Sequence, residues 1–369
     1  MAGSLTRSIN LEGCGFHWRW QAEVCHRQKA VIFLAMIKFM KRTLIALLEG
    51  ILAGFLPVIG HAQLLNASFD VARGLYSQIN PAFEAYWKAQ GHGPITINQS
   101  HAGSTRQAQA VIDGLEADVV TLNQVSDIDA IVAKGLIAPA WRSRLPNQSV
   151  PYTSTIVFLV RRGNPKHLKD WSDLVKPGIS IIVPNPKTSG NGRYSYLAAY
   201  AYALKKLNLN DAAARDFVAK LFKNVPILDT GGRGATITFV QHEVGDVLLT
   251  FEAEAHSSLR EFGADKFEVV LPTYSINAEM PVAVVDKVVR RKDTEDTAKA
   301  YLNFLYSDQA QEIIAENYYR PISRTVLARH ADEFGSLELF SADDVFGSWQ
   351  QIVKTHFADG GVFDQIYQP

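Results

Sequence analysis

The chain has 369 residues, 47% of them hydrophobic and 20% charged, with 37 Lys and Arg against 37 Asp and Glu. That is the composition of a globular chain long enough for two lobes, and zero net charge excludes a nucleic-acid or anionic-membrane binder, which needs a basic field. The balance is uneven: residues 1–62 carry seven Lys and Arg against three Glu, leaving 30 against 34 from residue 63 onward, so an anion held by that mildly acidic body must be met by local, directed donors.

In chain order, residues 1–39 fit no domain and read as an N-terminal extension. Met40-Lys41-Arg42, the apolar run from Thr43 to Ile59 and the small residues of Gly60-His61-Ala62 read as a signal peptide cleaved near Ala62. Glu49 and Pro57 inside the apolar run disfavour a membrane anchor. Both cysteines, Cys14 and Cys25, precede that point, so the mature chain has no thiol for a disulfide or a cysteine–metal site. From Leu64 to Asp70 the pattern predicts a strand, and Leu75, Ile79 and Phe83 predict a helix ending near Gly91 to Pro94. A strand over Ile95–Asn98 then enters Gln99-Ser100-His101-Ala102-Gly103-Ser104. Ala108, Val111, Ile112 and Leu115 give helical spacing after it, with Ser104 and Gln107 placed for a capping box. Asp118–Leu122 predicts a third strand and Ile128–Leu136 a short helix.

Tyr152 to Arg162 reads as one long strand and as the passage into a second lobe. There Ile179–Val183 leads through Pro184-Asn185-Pro186-Lys187-Thr188-Ser189-Gly190-Asn191-Gly192-Arg193 into a helix with Leu197, Ala198, Ala201 and Leu204 on one face. A strand over Val225–Leu228 leads through Asp229-Thr230-Gly231-Gly232-Arg233-Gly234 into a further helix. Val247–Phe251 and Phe267–Leu271 are strands, Met280–Val285 crosses back, and Leu302, Leu305, Ile313 and Ile314 mark closing helices. Alternation of strand and helix predicts an α/β fold with mainly parallel sheets, whose ligands sit beyond the carboxyl ends of the strands. The boundaries expected are 1–62 for extension and signal, 63–153 for the first part of lobe 1, 154–278 for lobe 2, and 279–369 for the second part of lobe 1.

The turns at Ser104, Ser189 and Gly232 share one layout, in which a strand runs through small polar residues into a helix N-terminus. Such a turn offers unbonded N–H groups and a favourable dipole to an anion. Hydrogen bonds to a charged acceptor contribute about 1.5–3 kcal/mol each, so half a dozen neutral donors from three directions suffice for a doubly charged oxyanion. Other chemistries lack their residues. His242-Glu243 has no second histidine for a zinc helix, Gly-x-Ser-x-Gly is absent, and the Ser189 turn lacks the Lys-Ser/Thr ending of a nucleotide loop. His101, Ser104 and Asp70 form a hydrolytic triad on paper only.

Across residues 64–369 these motifs resemble the periplasmic sulfate/thiosulfate-binding proteins that feed sulfate ABC importers. The resemblance rests on Leu64–Asp70, Gln99–Ser104, Ala117–Thr121, Tyr152–Pro165, Asn185–Asn191, Asp229–Gly234 and Thr355–Phe363. It implies a two-lobed type II periplasmic-binding-protein fold with a hinge, a monomer with neither metal nor cofactor, no catalysis, and permease subunits as partners. It also implies that Ser104, Ser189, Gly190, Asn191 and Gly232 bind the anion while Asp70 organises the site. Sulfate-preferring members place a donating tryptophan where this chain has Phe251, which has no donor. That departure points toward the thiosulfate branch of the family. The alternatives are an exported hydrolase of sulfate or phosphate esters and a receptor for another tetrahedral oxyanion such as molybdate.

Overall fold

The computed structural model describes residues 62–335 and 337–367; all of the expected extension and signal segment except Ala62 lies outside them. Fourteen strands occur among the described residues. They are β1 (Ala62–Phe69), β2 (Ile95–Ala102), β3 (Val119–Thr121), β4 (Tyr152–Ser154), β5 (Ile156–Arg161), β6 (Ile181–Pro184), β7 (Leu228–Asp229), β8 (Val247–Phe251), β9 (Phe267–Val270), β10 (Tyr274–Ile276), β11 (Ala278–Glu279), β12 (Val282–Val284), β13 (Arg320–Pro321) and β14 (Glu338–Phe340). The helices of seven or more residues are α1 (Arg73–Ala89), α2 (Ser104–Ile112), α3 (Val125–Ala133), α4 (Gly190–Lys205), α5 (Asp211–Lys223), α6 (Gly232–Val240), α7 (Glu252–Phe262), α8 (Asp286–Lys292), α9 (Glu295–Phe304) and α10 (Asp308–Glu316).

Two sheets carry the fold. The first has the order β12-β3-β1-β2, with β1 parallel to β2 and β3, and β12 antiparallel on the edge. The second has the order β7-β6-β8-β5-β9; β6 is parallel to β7 and β8, and β5 is antiparallel to both β8 and β9. Strands covered on both faces read as apolar runs rather than alternating ones. Ile156 to Val160 are accordingly all buried. Helix α1 buries Leu75, Tyr76, Ile79 and Phe83, the stripe expected of one amphipathic face.

Three expectations need correction. The long strand over Tyr152–Arg162 is two strands divided at Thr155. β4 pairs with β11 and β13 in a small antiparallel sheet, while β5 joins the second large sheet. The Thr155 carbonyl accepts the Glu252 amide at 2.8 Å, in register with the β5–β8 pairing, and Ser154 before it pairs with Ala278 of β11, so the break marks a change of partner sheets. The run after Val225 forms a strand only at Leu228–Asp229, pairing with Val183–Pro184. Helix α4 has no single apolar face: every residue from Gly190 to Ala203 is buried, because it packs between the second sheet and a C-terminal layer.

That layer consists of short helical pieces at Ala342–Phe346, Trp349–Ile352, Val353–Phe357 (π-helical) and Val362–Ile366. It seats aromatic rings on α4 and α5: Tyr196 meets Phe357 at 5.2 Å between centroids, and Phe222 meets Phe363 at 5.3 Å. β14 likewise pairs with β10.

Candidate anion-binding site

Helices α2, α4 and α6 all begin at carboxyl ends of strands or just beyond them. Their N-cap residues are Gly103, Ser189 and Gly231, and none makes a side-chain capping hydrogen bond. The first-turn amides of α2 and α4 therefore have no capping side chain, while in α6 the Arg233 amide donates to Asp70 Oδ2. Gly103 and Gly231 have no side chain to cap with, and Ser189 has a hydroxyl that does not cap.

The three N-termini meet. A methyl group placed on Gly103 would lie 2.8 Å from the Thr188 carbonyl oxygen and 3.1 Å from that of Thr230. One on Gly231 would come within 2.5 Å of Asp70 Oδ2 and 3.6 Å of the Gly103 nitrogen. On Gly232 it would strike Val71 at 2.7 Å and Asn191 Nδ2 at 3.2 Å. The turn after β2, on the first sheet, is thus pressed against the turns after β6 and β7, on the second. Only glycine allows backbones to approach this closely.

The structure brings together Asp70, Ser104, Ser189, Gly190, Asn191 and Gly232. Ser104 is 1% and Ser189 2% exposed. Ser104 is the first residue of α2 rather than its cap, and its Oγ accepts the Asn123 amide at 3.2 Å. The expected capping box does not form, because the Gln107 side chain bonds Ser100 Oγ at 3.1 Å instead. Asn191 is held by donation from its Nδ2 to Thr250 Oγ1 (3.1 Å) and by acceptance from Ser195 Oγ (3.3 Å). Asp70 uses both carboxylate oxygens on backbone amides, Oδ1 accepting from Val71 and Oδ2 from Arg233, each at 3.1 Å. Burial pushes its carboxyl up, while the Arg233 and Val71 amides work the other way. The second of those bonds runs from one half of the molecule to the other.

Phe251 ends β8 and is fully buried. Its ring meets Phe69, at the end of β1, edge-on at 6.4 Å, and Tyr194 of α4 at 6.0 Å.

Sequence reasoning missed the residues after β3. Asn123 Oδ1 is buried without a hydrogen-bond partner and lies 1.9 Å from where a Gly190 side chain would begin. Arg193, in the first turn of α4, crosses to the first half. Its Nη1 donates to Gln124 Oε1 (3.1 Å) and Asp127 Oδ1 (3.2 Å), and Asp127 also accepts from Thr105 Oγ1 (3.0 Å). Both partners of the Arg193–Asp127 pair are buried. The rule that ligands gather beyond strand ends would have reached Asn123 and Gln124, since they lie two and three residues past the end of β3. No spacing signal links positions 127 and 193.

The triad drawn from His101, Ser104 and Asp70 does not assemble. No hydrogen bond joins the three, the Asp70 oxygens are occupied by amides, and the His101 Nδ1 is buried without a partner. Burial, with Arg73 nearby, lowers the His101 pKa to about 4, so its ring is neutral near pH 7. The arrangement is rich in directed donors.

A family model described as bacterial extracellular solute-binding protein matches residues 67–320. The chain belongs to that family. Among the relatives of this solute-binding protein, a thiosulfate-binding protein of Pseudomonas aeruginosa is 57% identical over 307 residues, covering 83% of this chain and 92% of the relative. A sulfate-binding protein of Salmonella typhimurium is 55% identical over 304 residues, covering 82% and 92%. Among solved structures, the sulfate-binding protein of Mycobacterium tuberculosis superposes with a TM-score of 0.73 at 32% identity, covering 80% of this chain and 99% of that one. The fold is the two-lobed α/β type II arrangement of periplasmic binding proteins.

Proposed function

We propose that this chain is an extracytoplasmic receptor that binds sulfate or thiosulfate between its two lobes and delivers the anion to an ABC-type sulfate importer. The observation that carries the reading is the convergence of three helix N-termini whose N-cap residues make no side-chain cap bond, one from the first sheet and two from the second, around the buried serines Ser104 and Ser189. Neutral donors fixed in a dry cleft hold a dianion without the cost of burying a lysine. Donors on both lobes also tie ligand contact to closure, since an anion stabilises the closed state only through contacts absent from the open one. Relatives named for both anions, at 57% and 55% identity, support the choice of ligand.

In this reading Ser104, Ser189, Gly190, Asn191 and Gly232 contact the anion. Asp70 orders the Val71 and Arg233 amides. The protein is a monomeric, non-catalytic receptor of the periplasm, exported by a signal peptide cleaved near Ala62, and permease subunits are its partners. In the same reading the lobe boundaries fall near 154 and 278, with residues 338–367 packing on α4, α5 and β10.

Phe251 bears on which sulfur anion is preferred. A thiosulfate terminal sulfur is larger than oxygen and a poorer acceptor, so it loses little by lying against a ring. Sulfate oxygen does lose a hydrogen bond there. Thiosulfate is therefore expected to bind at least as tightly as sulfate. Phe251→Trp, which introduces an indole donor, should move the ratio toward sulfate by about tenfold, the worth of one added hydrogen bond. Isothermal titration with sulfate, thiosulfate, phosphate and molybdate tests both points. Tight phosphate binding, or no oxyanion binding, would overturn the reading, and an unchanged ratio in the variant would remove the role given to Phe251.

A further inference from the structure

The turn that runs from Pro184 to Arg193 contains two cations, and the side-chain hydrogen bonds of both go to residues other than Ser189. Arg193 is committed to Pro186 O, Gln124 and Asp127. Lys187, two residues before Ser189, is committed further. Its Nζ lies within hydrogen-bonding distance of four oxygens: the carbonyls of Phe357 (3.0 Å) and Ala358 (3.3 Å) and the carboxylates of Asp359 (3.2 Å) and Asp364 (2.9 Å). An ammonium has three N–H groups, so this set leaves none for an anion.

The anchor on the far side is itself fixed. Phe357 ends the π-helical turn Val353–Phe357, and the Ala358 amide closes on Val353 O at 2.7 Å. Asp364 Oδ2 also accepts the Gly360 amide at 2.8 Å, independently of the lysine. The near side is equally tight: the Lys187 amide donates to Asn185 Oδ1 (2.8 Å), and the Ser189 amide to Asn185 O (2.9 Å). A pull on the Lys187 side chain is therefore transmitted to the residues that begin α4.

We propose that Lys187 is a positioning residue for the anion site, and that its tie to residues 357–364 holds the Pro186–Ser189 turn where the Ser189 hydroxyl and the first amides of α4 meet the ligand. The inference rests on the anion-receptor reading and deepens it, because it makes the C-terminal segment part of the binding apparatus. The opposing view is that Lys187 attracts the anion by its charge. The two differ in kinetics. Long-range attraction speeds association and is screened by salt, whereas a preorganised donor set acts on dissociation.

The test uses the mature chain with Lys187→Met, Lys187→Arg and Asp364→Asn. Sulfate and thiosulfate association and dissociation rates are measured by stopped flow at low and high salt, and amide hydrogen exchange over residues 189–193 is followed without anion. Lys187→Met is expected to raise the dissociation rate about tenfold, as loss of charge-assisted bonds would, with association and its salt dependence unchanged. Exchange over 189–193 should rise in the same variant. Lys187→Arg should recover most of both, and Asp364→Asn, which leaves three acceptors in place, should give a smaller change in the same direction. Unchanged exchange over 189–193 would overturn the proposal, as would a loss confined to association that vanishes at high salt, or an arginine variant as weak as the methionine one. Should the wild-type chain bind neither anion, the receptor reading fails by itself, and the exchange measurement still decides whether Lys187 sets the turn.

Discussion

Gly103→Ala is expected to weaken anion binding by about ten- to a hundredfold while leaving the melting temperature of the anion-free protein nearly unchanged. The backbone at Gly103 has φ −54° and ψ 143°, a conformation any residue adopts, so alanine introduces no local strain. The conflict arises only across the cleft, where the added methyl would stand 2.8 Å from Thr188 O and 3.1 Å from Thr230 O. Both obstacles are main-chain oxygens on turns that carry candidate ligand donors, so they cannot swing aside as a side chain would. Overpacking of this kind costs about 1–3 kcal/mol, and here the cost falls on the closed state alone. Isothermal titration together with a thermal melt separates the two effects. Wild-type affinity in the variant would mean that the turns at 103, 188 and 230 do not come together when the anion binds.

The second large effect is on stability. Arg320 donates from Nε to Glu252 Oε2 at 2.7 Å and from Nη2 to Oε1 at 2.9 Å, and Glu252 is 1% exposed at its side chain. The bidentate pair joins β13, in the small sheet that includes β4, to the first turn of α7 directly after Phe251. Removing one partner of such a pair leaves a buried charge without compensation, which costs about 3–5 kcal/mol. The position of Glu252 at a helix N-terminus returns only a fraction of that. Arg320→Met should therefore lower the denaturant midpoint at neutral pH by a corresponding amount. The double change Arg320→Met with Glu252→Gln should recover much of it, since no charge is then stranded. A single variant as stable as wild type, or a double variant worse than the sum, would show that the pair does not link β13 to α7 energetically.

Much of the architecture could be read from residues alone, because parallel sheets and helix starts leave local marks. The glycine-rich turns at 103, 190 and 231–232 mark helix N-termini whose N-cap residues make no side-chain cap bond, and those turns are what the fold brings together. The strand break at Thr155 could not be read. Its neighbours Thr153, Ile156 and Val157 all favour strand, and what divides them is a change of hydrogen-bonding partner, a tertiary matter with no local trace. The burial of α4 on every side was hidden for a related reason. Its tyrosines and Ser195 look like a polar face until the C-terminal aromatic layer covers them. Within the site, the small polar residues were legible as donors, whereas Asn123 and the Arg193–Asp127 pair depend on which loops meet across the cleft. Ser104 shows how local grammar can mislead: Ser-x-x-Gln has the form of a capping box, yet the hydroxyl serves Asn123 and the glutamine serves Ser100.

The edge strand β12 has a consequence for how the chain acquires its shape. All five strands of the second sheet come from one unbroken stretch, residues 156–270, but the first sheet is completed only when Val282–Val284 returns to pair with Val119–Thr121. Contacts between positions so far apart along the chain form slowly, since the intervening loop must close before any bond rewards it. The half that leads the sequence is thus the half that waits, and its outer edge at β3 stays unpaired until the whole of the other sheet has been made.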